Sequence, residues 1–160
     1  MSTLKEAAAT FLARERIAVA GVSRDTKQPA NLIFRTLRRQ GHQVFAVNPN
    51  ADHVEGETCY HDLHAIPGGF DALMVATPAA ASLGVVREAA ELGVQHVWLH
   101  RSFGPGSTSD EAVAYAHERG MEVIAGGCPM MFVPGADAGH RCMRFILSLT
   151  GGLPKTVGEP

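Results

Sequence analysis

The residues of this chain with the types and spacing for chemistry each follow a short apolar run. Gly21-Val22-Ser23 joins a glycine, whose backbone can approach an anion closely, to a hydroxyl that can donate to one. Asn48-Pro49, Thr77-Pro78 and His100 close later runs. Arg24 and Lys27, just beyond the first turn, are either cations for extra phosphate charge or solvated loop residues. Cys128 ends a further run, with His140 and Cys142 after it. With His100 it has two chemical readings, a nucleophile and its base or a metal set completed by His140 and Cys142. The spacing His140-x-Cys142 matches no strong metal motif, and cysteine often serves as a small buried hydrophobe. The Cys128 segment is therefore read as loop packing, and no residue is assigned to catalysis or to a metal.

Those turns need elements to hold them. Apolar runs at 17–20, 44–47, 72–76, 96–99 and 122–125, with a shorter one at 58–60, suit strands of a buried parallel sheet. Helical patterns lie between them. Thr3 and Glu6 have capping-box spacing for an alanine-rich helix over 3–14, expected to pack as an N-terminal flap. Asn31 opens a helix with Leu32, Ile33 and Leu37 that stops at Gly41; a second covers 82–92, and Ser109 caps a third over 110–119. A brief helical turn is expected over 62–66 and a short helix over 141–149, before a frayed Gly/Pro-rich tail, 150–160.

Alternation at these spacings predicts an α/β fold, a doubly wound parallel sheet of about six strands in the order 3-2-1-4-5-6, with helices on both faces giving three αβα layers. In such a sheet the ligand lies beyond the carboxyl ends of the strands, where the winding reverses between strands 1 and 4. The Gly21-Val22-Ser23 turn at that point is either an anion site at a helix N-terminus or simply the glycine that a tight strand-to-helix turn requires; the phosphate reading is the one taken.

Composition bounds the rest. The 160 residues carry 14 Lys+Arg against 16 Asp+Glu, a formal charge of −2, with 46% hydrophobic and 19% charged residues. That suits one domain over 1–160 with an adequate core, and it is too apolar for disorder. Balanced charge argues against a nucleic-acid groove or a membrane-surface patch. The 3 cysteines are widely spaced with no CxxC, so a disulfide framework is not expected and a reducing, cytoplasmic location is. No run approaches the roughly 18 apolar residues of a membrane-spanning helix.

A nicotinamide site normally shows GxGxxG in the first turn and an acidic residue near the end of the second strand. This chain has Gly21-Val22-Ser23-Arg24-Asp25-Thr26 and Val47-Asn48-Pro49 instead, and Asp52 lies too far on to substitute. An NAD(P)-binding, oxidoreductase-like protein is thus the alternative reading. The leading one rests on a resemblance. Ile17 through Ser23, Asn31, Gly41-His42-Gln43-Val44, Val47-Asn48-Pro49, Gly56 through Tyr60, Asp71 and Val97-Trp98-Leu99, in this order, resemble the coenzyme A-binding domain proteins. These are small stand-alone Rossmann-type proteins similar to the N-terminal CoA-binding domain of the succinyl-CoA synthetase alpha subunit, and the likeness spans residues 10–145.

The resemblance implies binding of coenzyme A or an acyl-CoA, with the pyrophosphate and 3′-phosphorylated ribose over the Gly21-Val22-Ser23 turn and the first helix. The adenine end would be bounded by Val47-Asn48-Pro49 and Thr77-Pro78. It marks Gly21, Ser23, Asn31, Asn48, Pro49 and Thr77 as binding positions. Many members carry Pro and Arg where this chain has Thr26 and Gln28, so Arg24 or Lys27 must supply the phosphate charge. His100 stands in place of the usual Gln. The implied task is binding rather than catalysis, with a CoA-type small molecule as ligand and a homodimer or a larger acyl-CoA ligase as the protein partner.

Overall fold

The computed structural model describes residues 2–154 and 156–157; of the expected tail, Lys155 and residues 158–160 lie outside the described residues. In chain order the elements are β1 (Ser2–Thr3), α1 (Leu4–Leu12), β2 (Arg16–Ala20), α2 (Pro29–Arg39), β3 (Gln43–Val47), β4 (His53–Val54), β5 (Glu57–Tyr60) and β6 (Ala72–Val75). They continue as α3 (Ala79–Glu91), β7 (His96–Leu99), α4 (Asp110–Glu118), β8 (Glu122–Ala125), a 3-10 turn (Pro129–Met131), α5 (Ala138–Thr150) and β9 (Thr156–Val157).

One sheet runs β4-β5-β3-β2-β6-β7-β8, parallel throughout except for the β4–β5 pair. Renumbered as the six expected strands this is the order 3-2-1-4-5-6, with β4 added at the edge. The added strand comes from a hairpin in which His53 faces Thr58 and Val54 faces Glu57, leaving Glu55-Gly56 as a two-residue turn. Both turn residues have positive φ, 54° and 73°, as the type I′ geometry demands.

Alternation along the strands divides the core into two layers. Ile17, Val19, Met74, Trp98 and Ile124 face α1 and α2, meeting Phe11, Ile33 and Phe34. Ala18, Leu73, Val75, Val97 and Leu99 face α3 and α4, meeting Val86, Ala89, Ala112 and Ala116. Trp98 is fully buried, its ring edge-on to Phe11 at 5.4 Å and its indole N–H donating to the Gly126 carbonyl at 2.8 Å.

Several boundaries differ from the sequence expectation. The helix α1 has the expected capping box, but it is no flap: Ala7, Ala8 and Phe11 are at most 1% exposed. Pro29 starts α2 two residues before Asn31, because a ring with fixed φ and no N–H suits the first helical position. Pro78 is instead the N-cap of α3, with non-helical backbone, so that helix begins directly after it and Ser82 falls inside, where its hydroxyl donates to the Ser107 carbonyl. Asp137 caps α5 by accepting the His140 N–H, so the helix begins at Ala138, three residues before the expected start. Residues 62–66 form turns, one of them closed by the Ile66 N–H donating to Leu63 O at 3.3 Å. The described part of the tail is docked, with Leu153 and Val157 buried and β9 paired antiparallel to β1. Among the described residues no helix is long and apolar enough to cross a membrane.

Candidate functional site

Winding reverses between β2 and β6. After β2 the chain goes by α2 to β3 on one side; after β6 it goes by α3 to β7 on the other. The two strand ends touch through backbone. Gly21 has φ +102°, and a Cβ built on it would stand 2.4 Å from the Ala76 carbonyl oxygen. Its N–H donates to Val47 O at 2.9 Å, and the Ala76 N–H donates to Ala20 O at 2.9 Å, so the ends of β3, β2 and β6 are tied in one row.

Two clefts flank this row, and Gly21, Gln28, Ala76, Thr77 and Pro78 line both. The near cleft, of about 520 Å³, opens over β3 and is bounded by Val47, Asn48, Pro49, Leu63 and Glu88. The far cleft, of about 560 Å³, opens over β7 and β8 and is bounded by Ile33, His100, Phe103, Cys128, Met130 and Met143. His100 and Cys128 are brought to one wall because the strand pairing continues past β7 and β8, with the Arg101 N–H donating to Gly127 O at 3.0 Å.

Behind the first turn lies a polar brace. The Asn31 Oδ1 accepts the Ser23 N–H at 2.9 Å, while its Nδ2 donates to Ser23 O and to Glu55 Oε1, both at 2.7 Å. Arg35 Nη1 donates to the same Glu55 oxygen at 2.6 Å. A carboxylate only accepts, so Glu55 fixes which way the Asn31 amide faces, and the amide fixes the turn. Asn48 braces the same turn from β3, its Nδ2 donating to Val22 O at 3.0 Å.

The expected site residues therefore divide. Gly21, Thr77 and Pro78 line both clefts, Ser23, Val47, Asn48 and Pro49 the near one, and Lys27 and His100 the far one. Val22, Arg24 and Asn31 line neither. Val22 is a core residue with no exposure, Asn31 is buried in the brace, and Arg24 points from an exposed loop. Sequence reading missed Gln28, whose Nε2 donates to Asp25 at 2.9 Å, and Met143 of α5, and it weighed His140 only as a metal ligand. Placing the start of α5 at Arg141 hid the fact that one face of this helix closes the far cleft.

Burial sets the charge state of that cleft. It pushes His100 down to about 4, with His140 nearby adding to the effect, so the imidazole is neutral at neutral pH. Burial also pushes Cys128 up to about 12, which keeps it a thiol and removes the nucleophile from the Cys/His pair. Cys142 is exposed and lines neither cleft. Among the described residues, the group whose ligand atoms converge within 4.8 Å is instead Asp62, His64 and Glu88. Its members are already engaged: Glu88 Oε2 accepts the Leu63 N–H at 3.0 Å, and the His64 ring also faces Glu91 at 3.4 Å.

Comparison with known proteins bears on the family and the fold. A family model described as a CoA binding domain matches residues 15–134. The alpha subunit of acetate–CoA ligase [ADP-forming] II from Pyrococcus furiosus is 32% identical over 120 residues, covering 70% of this chain and 26% of that protein. A solved structure of a hypothetical protein from Pyrococcus horikoshii OT3 superposes with TM-score 0.73 at 26% identity, over 79% of this chain and 87% of that one. The dinucleotide forming acetyl-coenzyme A synthetase 1 of Ca. Korarchaeum cryptofilum superposes with TM-score 0.59 at 27% identity, over 69% of this chain and 25% of that one. The chain thus spans about a quarter of the length of the ligase subunit and of the synthetase. A parallel sheet with a strand-end crevice and no nicotinamide signature, and a family match over most of the sequence, have one common account: the chain belongs to the CoA-binding domain family.

Proposed function

We propose that this domain binds coenzyme A or an acyl-CoA in an extended form across the two clefts at the carboxyl ends of β2, β3 and β6, and that it binds without making or breaking a bond. The observation that carries this reading is the pair of clefts sharing Gly21, Thr77 and Pro78, which fits a long ligand with a charged middle and two unlike ends. Pro49, Leu63 and Pro78 offer apolar walls for adenine. The pyrophosphate then lies over Gly21 and Ser23 at the N-terminus of α2, where the helix dipole and Lys27 favour negative charge. Pantetheine continues past Thr77 into the far cleft. Binding without chemistry fits the neutral His100 and the protonated Cys128.

An NAD(P) reading is less well supported. Beyond β3 the polar residue is Asn48, held by Val22 and Asn50, and Asp52 pairs with His61 at 2.8 Å and lines neither cleft. A partner role in a larger acyl-CoA ligase draws support from the match to a quarter of the P. furiosus ligase subunit, and co-purification of a ligase subunit with the tagged chain is its test. The test of the main reading is isothermal titration with CoA, acetyl-CoA, NAD and NADP. Saturable CoA binding without NAD(P) binding is the expected result; tight NAD(P) binding without CoA binding overturns the proposal.

A further inference from the structure

The far cleft has a composition that a free thiol end does not call for. Its walls away from the shared row are Ile33, Phe103, Met130 and Met143, with Cys128 and His100 between them. Phe103 is 64% exposed, so it forms the rim, whereas Cys128, Met130 and His100 are at most 9% exposed and form the base. The family match ends at residue 134, and His140 and Met143 of α5 follow it in sequence.

The ionisable groups facing the cleft are Lys27, His100, Cys128 and His140. Lys27 is exposed in the loop before α2, so its charge stands toward solvent rather than at the buried base. His140 is held by Asp137, Nδ1 to Oδ2 at 2.6 Å, and any positive charge on it already faces a carboxylate. Burial leaves His100 and Cys128 uncharged. The base of the cleft therefore presents apolar and sulfur surface with one neutral imidazole, and no cation.

Resting on the CoA reading above, we infer that the far cleft accepts the uncharged aliphatic acyl group of an acyl-CoA and discriminates against acyl groups that end in a carboxylate. An aliphatic tail exchanges water for the Ile33, Met130 and Met143 side chains, while an ionised carboxylate there loses hydration and finds no cation. Butyryl-CoA and succinyl-CoA make the comparison clean, because both acyl chains have four carbons and differ in the terminal group.

Titration calorimetry with CoA, butyryl-CoA and succinyl-CoA, on the unmodified protein and on Met143→Lys, tests the inference. Butyryl-CoA is expected to bind at least tenfold more tightly than succinyl-CoA, and Met143→Lys, which sets a cation in the wall, is expected to shrink or invert that ratio. Equal affinities, or a preference for succinyl-CoA, in a protein that binds CoA overturn the inference and leave the CoA reading standing. Failure of all three ligands to bind overturns the CoA reading itself.

Discussion

Replacing Gly21 with alanine would drive a methyl group into the backbone of β6. The nearest atoms to the added Cβ are Ala76 O at 2.4 Å and Ala76 C at 2.7 Å, and neither is the end of a flexible side chain that could swing away. A side chain at φ +102° is itself strained, at about 1–2 kcal/mol, and overpacking against fixed neighbours adds about 1–3 kcal/mol. The expected destabilisation is thus about 2–5 kcal/mol, a large share of a typical domain's stability. Gly41→Ala supplies the control, since Gly41 has φ +96° but open space where the Cβ would lie. It carries the first cost alone, about 1–2 kcal/mol. Urea unfolding of both variants reads the difference, provided that the m-values agree. Because Gly21, Ala76 and Thr77 line both clefts, the Gly21→Ala protein that remains folded should also lose at least tenfold in CoA affinity. Equal destabilisation by the two substitutions would refute the close contact of β2 and β6 on which the site is built.

Other perturbations read single features. Asn31→Ala leaves the Ser23 N–H and C=O without their partner and is expected to cost about 1–3 kcal/mol in urea unfolding, together with faster hydrogen exchange at the Ser23 amide. His100 is held below its ordinary range in the folded protein, at about 4, so between that value and about 6.5 the unfolded chain binds the extra proton; stability should fall as pH drops through this window, by on the order of 3 kcal/mol, and His100→Gln should flatten that slope in thermal melts. Alkylation by iodoacetamide at pH 8, followed by peptide mass spectrometry, should modify Cys142 first and leave Cys59 and Cys128 protected until the chain unfolds.

The sheet was legible because each central strand is a short, continuous apolar run closed by glycine, proline or a polar residue, as in Ala72–Val75 before Thr77-Pro78. Right-handed crossovers then leave little freedom in strand order. The β4–β5 hairpin was hidden because its turn uses Glu55 at a positive φ, where Asn or Gly gives the usual signal. Glu55 takes that place while binding Asn31 and Arg35, a tertiary reason that local spacing does not display.

The site was legible in part for a related reason. Glycine and proline mark where strands deliver the chain, so Gly21, Pro49 and Pro78 were found at the clefts. Which side of a turn a side chain faces is decided by packing, so Asn31 and Val22 proved to hold the turn from behind rather than to line it. The far cleft depends on α5, whose role follows from the Asp137 cap and the docked tail at Leu153 and Val157, contacts between segments far apart in sequence.

The central claim is that the ligand lies across the carboxyl ends of β2, β3 and β6. A crystal structure of the protein grown with CoA tests it most directly. The account predicts adenine between Pro49 and Pro78, the pyrophosphate over Gly21 and Ser23, and pantetheine running past Thr77 toward Cys128. CoA density at the opposite edge of the sheet, or CoA that leaves both clefts empty, would contradict it.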